Sequence, residues 1–324
     1  MTGMCRAHGV SPLSVEYMVS TQPSCAAPLN SATESGDNFV ADTAPARRLG
    51  IDVNWYYKLQ AKANKRLFPQ RAKEWRRWKE HDPQSRAVIP HDRWEQILAT
   101  WVTTSADGIN RVRYAEVSEG DRALLAVYLA NCEHVAISTF GRNEQHAYWL
   151  NVYNAVTVRT VLEHYPVRSM RNIGVVPSWL GGGPWDRPRI RVEGVPLSLN
   201  DIEHRILRRN WRDPRIHYAV NCGALGCPNL QQLAFRGEGL ARTLDSIAVA
   251  FVNSPRGVRF EGNRLLVCQI FSWFREDFGG TEGALLDHLR RYANPALRAR
   301  LEARTRIDGY EYDWSLNDAN QDHP

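Results

Sequence analysis

Residues 143–164 constrain most strongly what this chain can fold into. The run Asn143-Glu144-Gln145-His146-Ala147-Tyr148-Trp149-Leu150-Asn151-Val152-Tyr153-Asn154-Ala155, continued to Tyr165, is apolar on nearly every side of a helical wheel. A helix of that kind is stable only when other elements surround it. It is therefore expected to be the buried centre of a domain, ended by Pro166. Asn151 and Asn154 lie three apart and so are neighbours on one face. Amides in such a setting must be hydrogen-bonded. They either tie loop backbone to the core or serve a site, Asn154 as a polar stabiliser and Asn151, with Trp149, in binding.

The flanking sequence supplies the packing partners. Trp94, Ile97, Leu98 and Trp101 have helical spacing, as do Leu124, Leu125, Tyr128 and Leu129 within a helix expected over 121–135. Further helices are expected over 240–251 and 283–292, with a short one at Phe271–Phe274. Two hairpins are marked by Glu193-Gly194 and Glu261-Gly262-Asn263 between apolar runs, and aromatic residues 310–316 form a tail strand. Strand pairs interspersed with helices predict an α+β fold. We expect a single domain over 86–318, its helices packed on a small, mainly antiparallel sheet; a cysteine-peptidase or transglutaminase-like layout suits that order.

Composition narrows the class. Hydrophobic residues make up 43% of the 324, with 11 Trp, 12 Tyr and 9 Phe, enough for a dense core. No run approaches the roughly 18–20 apolar residues that span a bilayer. Residues 1–48 are rich in Ser, Ala, Pro and Thr without periodicity and read as a disordered tail; 319–324 form a second tail. The N-terminus lacks a signal-peptide pattern, so a cytoplasmic location is the expectation, although a misassigned start would hide an export signal. Six cysteines are too few for a disulfide scaffold at this length. Residues 51–80 hold nine basic and three acidic side chains, an excess equal to the net +6 of the whole chain. Trp55, Tyr56, Tyr57, Phe68, Trp75 and Trp78 interleave with that charge. The segment 49–85 thus reads as a helical arm, either packed through its tryptophans or using 55–79 to bind an anionic surface or a partner protein. Phosphate loops, dinucleotide fingerprints and the Gly-x-Ser-x-Gly elbow are all missing from the sequence, and no cofactor is expected.

The chemistry-bearing stretch is Arg215-Ile216-His217-Tyr218-Ala219-Val220-Asn221-Cys222-Gly223-Ala224-Leu225-Gly226-Cys227-Pro228. Ile216 to Val220 reads as a buried strand placing His217 on a face with Ala219 and Asn221, opposite Cys222. Cys227-Pro228 is expected to start a helix, where free N–H groups and the dipole would favour a thiolate. A packed, inert thiol is the competing reading. A desolvated His217 tends to be neutral, as a general base must be, yet a core histidine bonded to a carbonyl looks the same. Ser198-Leu199-Asn200-Asp201 resembles a capping box opening a helix to about Arg209. Glu203 falls on its inward face, where it either orients an imidazole or pairs with a buried arginine. Cys222, Cys227, His204 and His217 offer four donors to a structural zinc, and Cys222 with Cys227 a redox pair.

Taken together, these segments resemble the family known as domain of unknown function 547. The likeness is carried by 147–155, 197–204, 213–224, Cys227-Pro228, Ile270-Phe271-Ser272-Trp273-Phe274 and Tyr312-Asp313-Trp314-Ser315-Leu316-Asn317. The resemblance implies that Asn154, Glu203, His204, His217, Cys222 and Cys227 match recurrent polar positions; it implies no activity. Bacterial members are often exported, and serine usually precedes the Cys-Pro pair where this chain has Gly226.

The expectation is a cysteine-dependent hydrolase or acyl transferase acting on a small-molecule or peptide-like substrate. Cys227 would be the nucleophile, His217 the base with His204 as its competitor, Glu203 the orienting acid and Asn154 a stabiliser. Trp149, Asn151, Trp185, Asn221 and Cys222 would line the site. A non-enzymatic interaction module and a structural zinc protein are the alternatives.

Overall fold

A computed structural model describes residues 75–174 and 183–320. The chain divides into two units, Met1–Phe39 and Val40–Pro324, and all described residues belong to the second. The expected tail 1–48, most of the basic arm and the last four residues lie outside the described region.

The fold is α+β, with helices dominating. Helix α1 (Asp92–Trp101) is followed by the hairpin β1 (Val102–Thr104) and β2 (Asn110–Val112), then α2 (Glu119–Glu133). The centre is α3 (Arg142–Leu162), in which Ala147 to Val158 are buried without a break. Each large apolar side chain so covered contributes about 1.5–3 kcal/mol relative to exposure, which is why this run selects the middle of the molecule. Strands β3 (Ile190–Val192) and β4 (Val195–Leu197) form the first expected hairpin; Glu193 and Gly194 both take left-handed φ, as the tight turn requires. A π-helical segment, Asp201–Leu207, runs directly into α4 (Arg208–Trp211). Ser198 and Asp201 exchange the hydrogen bonds of a capping box at its start.

Next come α5 (Ile216–Ala219), α6 (Leu240–Val252), and the hairpin of β5 (Val258–Glu261) with β6 (Arg264–Cys268). The chain ends with α7 (Ile270–Trp273), α8 (Glu282–Tyr292), α9 (Pro295–Glu302) and β7 (Gly309–Glu311). Strand β7 pairs with β6 in parallel, so the described strands form three small sheets and not one. Among the described residues, no helix is long and apolar enough to cross a membrane.

Two expectations fail here. Ile216–Ala219 is a helical turn and not a strand. A short apolar run cannot by itself distinguish the two, and the neighbours decide. The Asp213 carboxylate accepts the Arg215 N–H at 2.9 Å, closing a turn over Pro214 that winds the chain into α5. Cys227-Pro228 starts no helix either. The segment after it is spent on long-range ties: Asn110 donates to the Asn229 side chain and the Leu230 carbonyl, and Asn151 holds residue 235.

The described end of the basic arm packs on the domain. Trp78 is buried edge-on against Trp149, 5.2 Å between ring centres, and the Arg205 guanidinium lies 4.0 Å over the Trp75 ring.

Candidate active site

The central helix builds the site by holding a loop. Asn154 donates through Nδ2 to the Ala219 carbonyl at 2.9 Å and accepts the Asn221 N–H at 2.8 Å. This pair fixes the exit of α5. Asn221 then acts as a clasp: its Nδ2 donates to the Pro228 carbonyl and its Oδ1 accepts the Gly223 N–H, both at 2.8 Å. From the other side, Arg256 donates to the carbonyls of Leu225 (2.7 Å) and Cys227 (2.5 Å) and to Asn229 Oδ1. Clasped at both ends, residues 222–227 bring their two cysteines together.

The Cys222 and Cys227 sulfurs lie 2.8 Å apart. The Tyr312 hydroxyl sits 2.9 Å from Cys227 Sγ and 3.1 Å from Cys222 Sγ, and the Cys222 N–H donates to Cys227 Sγ at 3.1 Å. Gly226 makes this possible. A Cβ there would stand 2.7 Å from the Asp313 nitrogen and 2.9 Å from Tyr312 Cδ2. Glycine lets the C-terminal strap lie against the loop, with Leu225 and Gly226 donating to the Ser315 and Asp313 carbonyls at 2.8 Å. A serine at this position would push away the strap that carries Tyr312.

Electrostatics separate the two thiols. Burial pushes Cys227 up, but the Cys222 thiol, the Tyr312 phenol and the Cys222 and Ala224 backbone N–H groups outweigh it, leaving Cys227 below the ordinary thiol value. Cys222, hydrogen-bonded to that sulfur and desolvated, is raised well above it. Tyr312 is likewise raised, first by burial and then by the two sulfurs, and so remains a protonated donor. The expected helix dipole at Cys227 is thus replaced by discrete donors. Cys227 is 4% exposed and Cys222 is half-buried.

The expected imidazole bases lie in a different cluster. His217 Nε2 bonds to Asp277 Oδ2 at 2.7 Å, and the same oxygen takes the Arg208 Nε at 2.5 Å. His217 Nδ1 is buried with no hydrogen-bond partner, so neither ring nitrogen bonds the Cys227 sulfur. The ring stacks on Phe274, 4.0 Å between centres. Glu203 Oε1 stands 3.9 Å from His217 Nδ1 and 3.8 Å from His204 Nδ1. Arg208 Nη1 lies 3.4 Å from that same His204 nitrogen.

Burial raises the Glu203 carboxyl to about 7 despite the Arg208 charge and a hydrogen bond with Tyr153. Burial likewise lowers both histidines, keeping them neutral. Asp277 moves the other way: its desolvation is outweighed by His217 and Arg208, which hold it well below the usual carboxylate range. The Glu203 charge raises both Tyr153 and Cys222.

The remaining expected residues fall into structural places. Asn151 pins residue 235 through both atoms of its amide, Trp149 is 1% exposed in the core, and Trp185 packs edge-on against Trp314. Among the described residues, no group of three or more His, Cys, Asp or Glu side chains converges as a metal site. The zinc set of Cys222, Cys227, His204 and His217 is divided between the two clusters.

Sequence reasoning missed Tyr312, Asp277, Arg208 and Arg256. Tyr312 stood inside a recognised motif without a role, whereas Asp277 and Arg256 sit in irregular segments with no periodic signal.

A family model described as "Protein of unknown function, DUF547" matches residues 137–252. That span holds α3, Glu203, His204, His217 and both loop cysteines. It ends before Asp277 and Tyr312. No curated protein and no solved structure matches the chain.

Proposed function

We propose that the chain is a cysteine-dependent enzyme of the hydrolase or acyl-transferase class, with Cys227 as its nucleophile and a small-molecule or peptide-like acyl donor as its substrate. One observation carries this reading: Cys227 Sγ gathers the Cys222 N–H, the Cys222 thiol and the Tyr312 hydroxyl, all within 3.1 Å. Such donors stabilise a thiolate and activate it without an adjacent base. The thiolate attacks the acyl carbon. Tyr312, a protonated phenol against the sulfur, is the group placed to protonate the leaving group. His217, committed to Asp277, takes no proton from Cys227 in this scheme.

The test pairs labelling with turnover. Iodoacetamide at neutral pH is expected to alkylate Cys227 ahead of Cys132 and Cys268, whose thiols burial pushes up to about 12. p-Nitrophenyl acetate is expected to give a stoichiometric burst that Cys227→Ser abolishes. Equal, sluggish labelling of all thiols together with an unchanged burst in Cys227→Ser would reject the assignment.

A further inference from the structure

We propose that Cys222 and Cys227 form a reversible dithiol–disulfide couple whose oxidant is hydrogen peroxide, Cys227 being oxidised first and Cys222 resolving it. This rests on the reading of Cys227 as the nucleophile, and it assigns the second cysteine a task that acyl transfer does not require.

The geometry carries the argument. At 2.8 Å the two sulfurs are inside van der Waals contact, and a disulfide at about 2.05 Å needs a movement of only about 0.8 Å. The loop between them contains Gly223 and Gly226, whose freedom can absorb that movement, while Asn221 and Arg256 keep its ends in register. Acidity divides the two roles: Cys227 is the better thiolate and Cys222 the more weakly acidic partner. Among the described residues, the other two thiols, Cys132 and Cys268, are both buried with raised pKa values and do not compete.

The electrons balance in two steps. The Cys227 thiolate attacks one peroxide oxygen; the O–O bond breaks, giving Cys227 sulfenic acid and hydroxide, which takes the Tyr312 phenol proton and leaves as water. The tyrosinate then recovers a proton from the Cys222 thiol. The resulting Cys222 thiolate attacks Cys227 Sγ, the S–S bond forms, and hydroxide departs to solvent. The sulfur pair has lost two electrons and one peroxide has been reduced. A thiol reductant resets the couple by exchange.

The experiment uses the full reduced chain, treated near neutral pH with stoichiometric hydrogen peroxide. Each cysteine is then mapped by alkylation before and after dithiothreitol, with intact mass recorded. Cys222 and Cys227 are expected to lose reactivity together, with the loss of two hydrogens in mass, and to regain it together on reduction. In Cys222→Ser, Cys227 is expected to stop at sulfenic acid, trapped by dimedone, and to pass on to sulfinic acid with excess peroxide. In Cys227→Ser, Cys222 is expected to remain a thiol. Wild-type Cys227 oxidised to sulfinic acid while Cys222 stays alkylatable would overturn the couple and leave the nucleophile standing. No dimedone adduct in Cys222→Ser, together with no selective alkylation in the wild type, would remove both.

Discussion

The two polar clusters of the molecule described above are built on opposite terms. The thiol loop is a set of neutral donors around one sulfur, half-open at Cys222 and held by amide clasps to backbone. The cluster of Glu203, His204, Arg208, His217 and Asp277 is built around the Arg208–Asp277 ion pair, with Arg208 and His217 each 1% exposed at the side chain. Paired buried charge resists change, because moving either member leaves the other uncompensated. Hydrogen-bonded neutral groups carry no such penalty and can exchange protons with a reacting atom. A histidine ten residues before Cys227 therefore joined the rigid cluster, while a tyrosine 85 residues away joined the reactive one.

Four substitutions sharpen that contrast. Arg208→Met should be the most damaging: it strips the Asp277 carboxylate of its buried guanidinium partner and is expected to cost about 3–5 kcal/mol in urea unfolding. In the folded fraction the rate of Cys227 alkylation should be preserved; a matching loss of thiol reactivity would merge the two clusters into one site.

Glu203→Gln tests the ionic side by pH. Because the folded Glu203 pKa is raised to about 7 from an ordinary 4.5, folding favours its protonated form. That contribution is intact below about pH 4.5 and lost as pH rises through about 7. His204 and His217, lowered in the fold, act in the opposite direction across this range, so the difference between variant and wild type is the quantity to measure. The stability of Glu203→Gln relative to wild type should grow by on the order of 2–3 kcal/mol between pH 5 and pH 8. A flat difference would mean that Glu203 is ionised with its partners throughout.

Asn221→Ala removes the clasp on Gly223 and Pro228 and should cost about 1–3 kcal/mol by chemical denaturation. It should also slow peroxide-driven loss of both loop thiols, because the sulfurs are no longer held together. Tyr312→Phe should have the smallest effect on stability. Its readout is the pH profile of Cys227 alkylation, which should move upward as one thiolate donor is lost. An unmoved profile would show that the Cys222 thiol and the backbone N–H groups set the acidity of Cys227 without the phenol.

Much of the scaffold was legible beforehand. The four buried positions of α1 matched the spacing of Trp94, Ile97, Leu98 and Trp101, and α3 was recognisable because nothing but burial suits its composition. Both hairpins followed from their turn residues. At the site, Cys227 and Cys222 were visible as a glycine-punctuated pair, and the bonds from Asn154 to Ala219 and Asn221 match one of the two readings its position left open, a tie from loop to core. The segment around His217 was not legible, since Ile216 to Val220 has strand-like composition and Asp213 winds it into a helix through a contact that no periodicity encodes. Tyr312 and Asp277 were hidden because their roles depend on where the C-terminal strap and the turn after α7 come to rest.

The amino-acid sequence by itself determined the buried central helix, the α+β mixture and the presence of two closely spaced cysteines, because burial periodicity and turn chemistry are local properties. Tertiary structure alone decided which groups meet those sulfurs. That choice depends on backbone approach over long sequence separations: the absent side chain at Gly226 admits the strap carrying Tyr312, and the buried charge of Arg208 and Asp277 draws His217 away.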